Sequence, residues 1–217
     1  MNHIIDIHTH HPAPQPRGVV NIGPATPLTS LLEGQAYSVG IHPWDTIEPV
    51  AQETWDALRT LASDPKIVAI GECGVDLSGR GGMLFRQLQV LRRQIELSEE
   101  LGKPVIIHDV KAHDVIVGLR ADMKPTQPWV VHGLRGKPQV AEMLLRSGCM
   151  ISLGTRFNRE TLETIPSDRL LAETDDADES IGEVVKALSE AAGRDLTAEL
   201  ERNAARFLGI EDNQNKK

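Results

Sequence analysis

Two histidines two positions apart, His8 and His10, follow a carboxylate in the run Asp6-Ile7-His8-Thr9-His10. Alternation along an extended chain turns both imidazoles to one face, where they can share a cation, and Asp6 could orient one of them. His8, His10, His42, His108 and His132 all end or directly follow a short apolar run. Glu72 and Asp175 occupy the same kind of place, after Ile67-Val68-Ala69-Ile70-Gly71 and Leu170-Leu171-Ala172-Glu173-Thr174. A carboxylate at Glu72 can bridge two hard cations, which a neutral imidazole cannot. Asp175 is suited to be the last ligand and a proton acceptor. This donor set admits Zn, Mn or Mg, and the chemistry it suits is hydrolysis by activated water. Glu173 shares the strand face of Asp175 and either supports the site or pairs with a basic neighbour. His42, before Pro43, either contacts substrate or is a structural rim residue. His3, His11 and His113 are expected in solvent. Cys73, next to Glu72, should point the other way as a buried core thiol.

For these residues to meet, the apolar runs must lie side by side. The runs are His3–Ile7, Gly18–Ile22, Tyr37–Ile41, Ile67–Glu72, Pro104–His108, Trp129–His132, Met150–Leu153 and Leu170–Thr174. Each is short and rich in Ile, Val and Leu, as expected of strands covered on both faces. Helical spacing falls between them over Gln52–Ala62, Leu84–Leu101, Pro138–Arg146 and Glu179–Ala192, with Thr197 capping a last helix that reaches Phe207. Gly102-Lys103-Pro104, Gly148 and Gly193 supply stop signals. Eight strands alternating with helices imply an α/β fold, a (β/α)8 TIM-type barrel, in which every strand C-terminus opens on one rim. The first crossover is expected to be irregular, because prolines crowd His11–Arg17 and leave a loop. An open doubly wound sheet is the rival fold, but no glycine-rich nucleotide turn is present. Without a linker or internal repeat, one barrel over residues 1–210 is expected, with a polar, frayed tail over 211–217.

Composition narrows the function classes. The 217 residues are 40% hydrophobic, enough for a core, and only 3% aromatic. A net charge of −8 argues against a broad basic footprint for duplex DNA or an anionic membrane. Bound cations can still reverse the field locally. The two cysteines form no CxxC pair, which argues against a disulfide scaffold or a thiolate zinc site. No apolar stretch reaches the ~18 residues of a membrane span, so a cytoplasmic monomer is expected.

Further motifs join these residues in order: Gly40-Ile41-His42-Pro43, Gly71-Glu72-Cys73-Gly74-Val75-Asp76, a helix with Gln87 and Gln94, Pro104-Val105-Ile106-Ile107-His108, His132-Gly133-Leu134-Arg135-Gly136, Glu173-Thr174-Asp175 and Asn203-Ala204-Ala205-Arg206. From Asp6 to about Leu208 the chain resembles the TatD-like metal-dependent hydrolases, a branch of the amidohydrolase-like barrels. The resemblance implies one or two divalent metal ions held by His8, His10, Glu72, His108, His132 and Asp175, with Glu72 shared between them. It also implies phosphodiester cleavage, deoxyribonuclease action in many relatives, with nucleic acid as substrate rather than lasting partner. The chain departs from the family pattern in three places. His108-Asp109-Val110-Lys111 lacks the usual arginine, Leu134 and Arg135 replace a phenylalanine and a small residue, and Asp176–Ser180 shortens the loop after Asp175. Arg135, Lys111 and Arg156 are candidate phosphate partners, with His42 as a further substrate contact. Two alternatives stay open: a metal-dependent hydrolase of a small amide, ester or lactone, and a metal-binding protein without catalysis.

Overall fold

The structure is a computed structural model that describes residues 3–11 and 17–210. Its strands are β1 (Asp6–Thr9), β2 (Gly18–Ile22), β3 (Ala36–Val39), β4 (Ile67–Asp76), β5 (Val105–Val110), β6 (Trp129–Val131), β7 (Met150–Leu153) and β8 (Leu170–Ala172). All eight pair in chain order, parallel throughout, and β8 returns to β1 to close the barrel. Among the described residues the crossovers from β1 to β2 and β2 to β3 carry no α-helix, only a 3-10 turn at Leu28–Ser30. A second 3-10 turn, Pro43–Thr46, follows β3. The later crossovers carry α1 (Gln52–Ala62), α2 (Leu84–Leu101), α3 (His113–Met123), α4 (Pro138–Arg146) and α5 (Arg159–Thr164). Two helices, α6 (Ile181–Ala192) and α7 (Thr197–Leu208), follow β8. No helix among the described residues is long and apolar enough to cross a membrane.

Several boundaries differ from expectation for identifiable reasons. The first strand begins at Asp6 rather than His3, so His8 lies inside it. The fourth runs on past Glu72 to Asp76, paired with β5 through Asp76↔Val110. β3 stops at Val39 and β8 at Ala172, two residues short of the apolar runs. The sixth helix starts at Ile181, where Ser180 and Glu183 form a capping box. Thr197 is not a cap but the first residue of α7; the Asp195 carboxylate accepts its N–H at 2.8 Å. Most of the proline-rich His11–Arg17 stretch, residues 12–16, and the 211–217 tail lie outside the described residues.

Buried amides fix the rim to the helices. Gln94 of α2 is fully buried; its Oε1 accepts the Ile41 N–H at 2.7 Å and its Nε2 donates to the Ile41 carbonyl at 3.1 Å. Gln87, two turns earlier, does the same for Asp76, accepting its N–H at 2.7 Å and donating to its carbonyl at 3.0 Å. One helix thus holds the backbone beside His42 and the end of β4. Close strand contact completes the job: a Cβ on Gly74 would lie 1.9 Å from the His108 carbonyl oxygen, so only glycine lets β4 meet β5 there. Below the rim, Ile106, Val130 and Leu171 lie two residues before His108, His132 and Glu173. Strand alternation puts them on the same face, and they share a cluster with Phe207 and Leu208 of α7.

Gln94→Leu keeps the volume and strands the Ile41 N–H and carbonyl without partners. The expected loss is about 1–3 kcal/mol of unfolding free energy in urea titration; an unchanged midpoint would show that Ile41 finds other partners.

Candidate metal centre

The strand ends deliver their donors from five directions. β1 carries His8 and, just past its end, His10; β4 carries Glu72; β5 carries His108; His132 follows β6; Glu173 and Asp175 follow β8. Asp175 has a left-handed backbone (φ 54°), a conformation that aspartate tolerates better than most residues. Two backbone bonds pin it, from its own N–H to the His8 carbonyl at 3.0 Å and from the His10 N–H to its carbonyl at 2.9 Å.

Glu72 lies at the centre, 4% exposed, and its two oxygens face different groups. Oε2 is 3.4 Å from His8 Nε2 and 3.1 Å from His10 Nε2. Those two nitrogens each lie 3.7 Å from Asp175 Oδ1. Oε1 is 2.5 Å from His108 Nδ1, 2.8 Å from His132 Nε2 and 3.3 Å from His42 Nε2. The six expected ligands therefore come together, and His42 comes with them. In three triplets, His8–His10–Glu72, His8–His132–Asp175 and His42–Glu72–His108, the donor atoms lie within 4.8 Å of one another. His42, expected as a substrate contact or a structural rim residue, lies within reach of the donor cluster, and the Trp44 N–H, 3.2 Å from its Nδ1, leaves Nε2 facing inward.

These residues fit a divalent cation. His8 is fully buried, yet neither ring nitrogen has a hydrogen-bond partner. Leaving a buried polar atom unsatisfied is costly, and coordination at Nε2 would remove that cost. The donors are imidazoles and carboxylates without thiolate, as Zn, Mn or Mg accept. Burial alone would raise the pKa of Glu72, but His132, His10 and His108 around it hold the carboxyl well below the usual range. Burial opposes the charged form of His132, but Glu72 and Glu173 outweigh it and raise that group well above an ordinary histidine. Burial raises Asp175 above the usual carboxylate.

Behind the imidazoles stand two carboxylates. Glu173, fully buried, sits 3.2 Å from His132 Nδ1, on the side of the ring away from Glu72, so it supports the site. Asp76 does the same for His108, 3.4 Å from its Nε2. Burial opposes ionisation of Asp76, but hydrogen bonds from Ser78 and Trp44 hold its pKa down at about 2. Such partners fix tautomer and ring orientation in metal sites. In the sequence Asp76 stands only as part of a motif; the signal that points to it is its even spacing from Glu72 along one strand.

Other expectations are corrected. Asp6 orients no imidazole: its oxygens accept the Thr174 hydroxyl at 2.7 Å, the Thr174 N–H at 3.1 Å and the His8 N–H at 3.3 Å. Burial pushes its carboxyl up to about 7. Neither His11 nor His113 is fully solvated. His11 is half-buried against the Ala177 carbonyl, and His113 Nδ1 lies 2.7 Å from Asp109. Asp109 also accepts the Ala112 N–H at 3.1 Å and so organises the start of α3. Cys73 is a buried thiol, as expected. Arg135 and Arg156 line a pocket of about 350 Å³ with Asp175, and neither makes an ion pair with a described residue. Lys111, exposed beyond β5, is not among the residues lining that pocket.

A closed parallel barrel with imidazoles and carboxylates gathered on its C-terminal rim is the class of scaffold on which metal-assisted hydrolysis is commonly built. The profile of the family described as TatD related DNase matches residues 28–203, and the chain belongs to that family. A 3'-5' ssDNA/RNA exonuclease TatD of Erwinia billingiae is 35% identical over 162 residues, 70% of this chain and 61% of that protein. An uncharacterized metal-dependent hydrolase, YabD of Bacillus subtilis, is 32% identical over 146 residues, 64% of this chain and 57% of that protein. The chain thus spans about three fifths of the length of these relatives. The crystal structure of YJJV, a TatD homologue of Escherichia coli, superposes with a TM-score of 0.80 at 23% identity, covering 96% of this chain and 99% of that one, which shows the shared fold.

Removing the carboxylate behind His132 tests the arrangement without touching a donor. Glu173→Gln should weaken divalent-ion binding, read by competition with a chromophoric chelator, by about 10-fold or more. The melting temperature of the metal-free protein should stay close to that of the parent; unchanged affinity would remove Glu173 from the site.

Proposed function

We propose that this protein is a divalent-metal-dependent phosphodiesterase acting on nucleic-acid strands, a deoxyribonuclease in the manner of its relatives. The observation that carries the reading is Glu72, whose two oxygens each face a separate set of donors. That geometry suits a carboxylate shared by two ions, one beside His8, His10 and Asp175 and one beside His42, His108 and His132. Ions held there would supply Lewis-acid activation of water and of the scissile phosphoryl group. The chain's own residues supply the rest. Asp175 opens on the pocket and takes the proton of the attacking water, returning it to the leaving oxygen. Arg135 and Arg156, without a carboxylate partner among the described residues, hold the phosphate oxygens at the mouth. They take over the part expected of the family's missing arginine; Lys111 does not line this pocket.

A second reading rests on the same pocket. Asp176, Asp178 and Glu179 also line it, and so much negative charge favours a less anionic substrate such as a small amide or ester. Parallel assays with a nitrophenyl phosphodiester and a nitrophenyl ester separate the two. Turnover of the phosphodiester, lost on chelation and restored by Mn or Zn, supports the first; turnover of the ester alone replaces it.

Glu72→Gln and Asp175→Asn should each reduce turnover at least ~100-fold with the fold retained by circular dichroism. Near-normal rates in either would remove its role. Replacing Arg135 and Arg156 together by alanine should weaken binding of a short single strand and flatten its dependence of log affinity on log salt by roughly 1–2. An unaltered slope would place the phosphate elsewhere.

A further inference from the structure

Of the three tryptophans, Trp55 and Trp129 are buried at 8% and 0% exposure, whereas Trp44 is 40% exposed. It stands in the 3-10 turn after His42, at the edge of the metal centre. Its ring centroid is 4.6 Å from that of His42 and 6.1 Å from that of His108. The indole cannot swing freely, because its Nε1–H donates to Asp76 Oδ2 at 2.6 Å. Over its face lies the Arg80 guanidinium, 4.9 Å from the ring centroid, and Arg80 makes no ion pair with a described residue. Arg80 is carried by the exposed turn after β4, which begins with the Ser78 N–H bonded to Asp76 Oδ1 at 2.7 Å. One carboxylate therefore sets both the indole and the turn that brings the arginine to it. The two connections involved also expose Ile47, Leu77, Met83 and Phe85, and the Gly82 N–H bonds Thr46 Oγ1 between them at 3.2 Å.

We propose that Trp44 and Arg80 form a base-stacking subsite, holding the nucleobase next to the phosphate that is cleaved at the metal centre. The proposal rests on the phosphodiesterase reading above and assigns it a substrate contact. A fixed, half-exposed indole is a flat apolar platform, and every nucleobase has a π-face to lay on it. The guanidinium is planar and cationic; on its exposed turn it lifts to admit a base and closes on the outer face. The platform requires an unstacked base, so it selects a single strand or a frayed end over an intact duplex. It also resolves the tension of an acidic protein binding a polyanion, because stacking adds affinity that net charge does not oppose.

Trp44 also touches Asp76, which supports His108, so the test must separate stacking from metal positioning. The probes are a short oligothymidylate and the same strand with its bases removed, offered to the metal-loaded protein. Binding is read by anisotropy and cleavage by KM and kcat. The parent should prefer the base-bearing strand by about 10-fold. Trp44→Leu should abolish that preference while leaving affinity for the abasic strand unchanged. Trp44→Phe, which keeps a ring but loses the bond to Asp76, should retain most of it. Arg80→Ala, on an exposed turn and safe for folding, should reduce it part of the way. A parent without base preference overturns the subsite, as does equal weakening of both strands by Trp44→Leu and Trp44→Phe. Base-selective binding without cleavage keeps the subsite and overturns the phosphodiesterase reading; cleavage without base selectivity does the reverse.

Discussion

A single buried carboxylate organises the rim. Burial alone would raise the Glu72 carboxyl, but the imidazoles around it hold it well below the usual range, and Glu72 with Glu173 raises His132 in turn. Each side of the arrangement is unfavourable alone. Together they make a compact set of imidazole and carboxylate donors. The barrel serves this arrangement. Parallel strands in chain order bring residues far apart in sequence to one opening, and the carboxylate sits where the strands before and after it can both supply a ring.

The support behind the donors is as ordered as the donors themselves. Asp76 and Glu173 each hold the outer nitrogen of one ring, and Gln87 and Gln94 hold the backbone that carries Asp76 and leads to His42. These four side chains are buried and polar, and each has a named partner, with only Glu173 Oε2 among their oxygens left without one. A side chain that cannot rotate presents its neighbour at a fixed angle, and small angular errors matter in coordination.

Much of this was legible in the sequence, and the reasons are physical. Strands covered on both faces must be continuous runs of Ile, Val and Leu, so the eight runs stood out, and the position after each run marked the rim. α2 was bounded correctly because Leu88, Leu91 and Ile95 repeat with helical spacing and Gly102 takes a left-handed cap. α3 and α5 were missed. The first carries the contiguous β-branched Val115-Ile116-Val117, which reads as a strand; the second is six residues long. The residues that meet on the rim were expected from type and position, but the places of His42 and Asp6 were not. His42 is followed by proline and looks like a rim residue, and only its distance from Glu72 places it among the donors. Asp6 precedes two site histidines and looks like their partner. Burial instead commits it to Thr174, across the seam between first and last strands.

That seam has a bearing on how the protein comes to be made. β1 and β8 meet through a single register pair, Asp6↔Ala172, reinforced by the Asp6–Thr174 bonds and by the two backbone bonds of Asp175. A chain emerging from the ribosome presents His8 and His10 first, but the carboxylate that completes their side of the pocket is translated long after them. Until β8 is released and docks, the barrel is an open sheet whose first strand lacks one neighbour. Pairing of such distant segments is slow compared with helix formation. The nascent chain is therefore built with one rim carboxylate, Asp175, arriving last, and a truncated product ending before the eighth strand would carry all eight imidazoles without it.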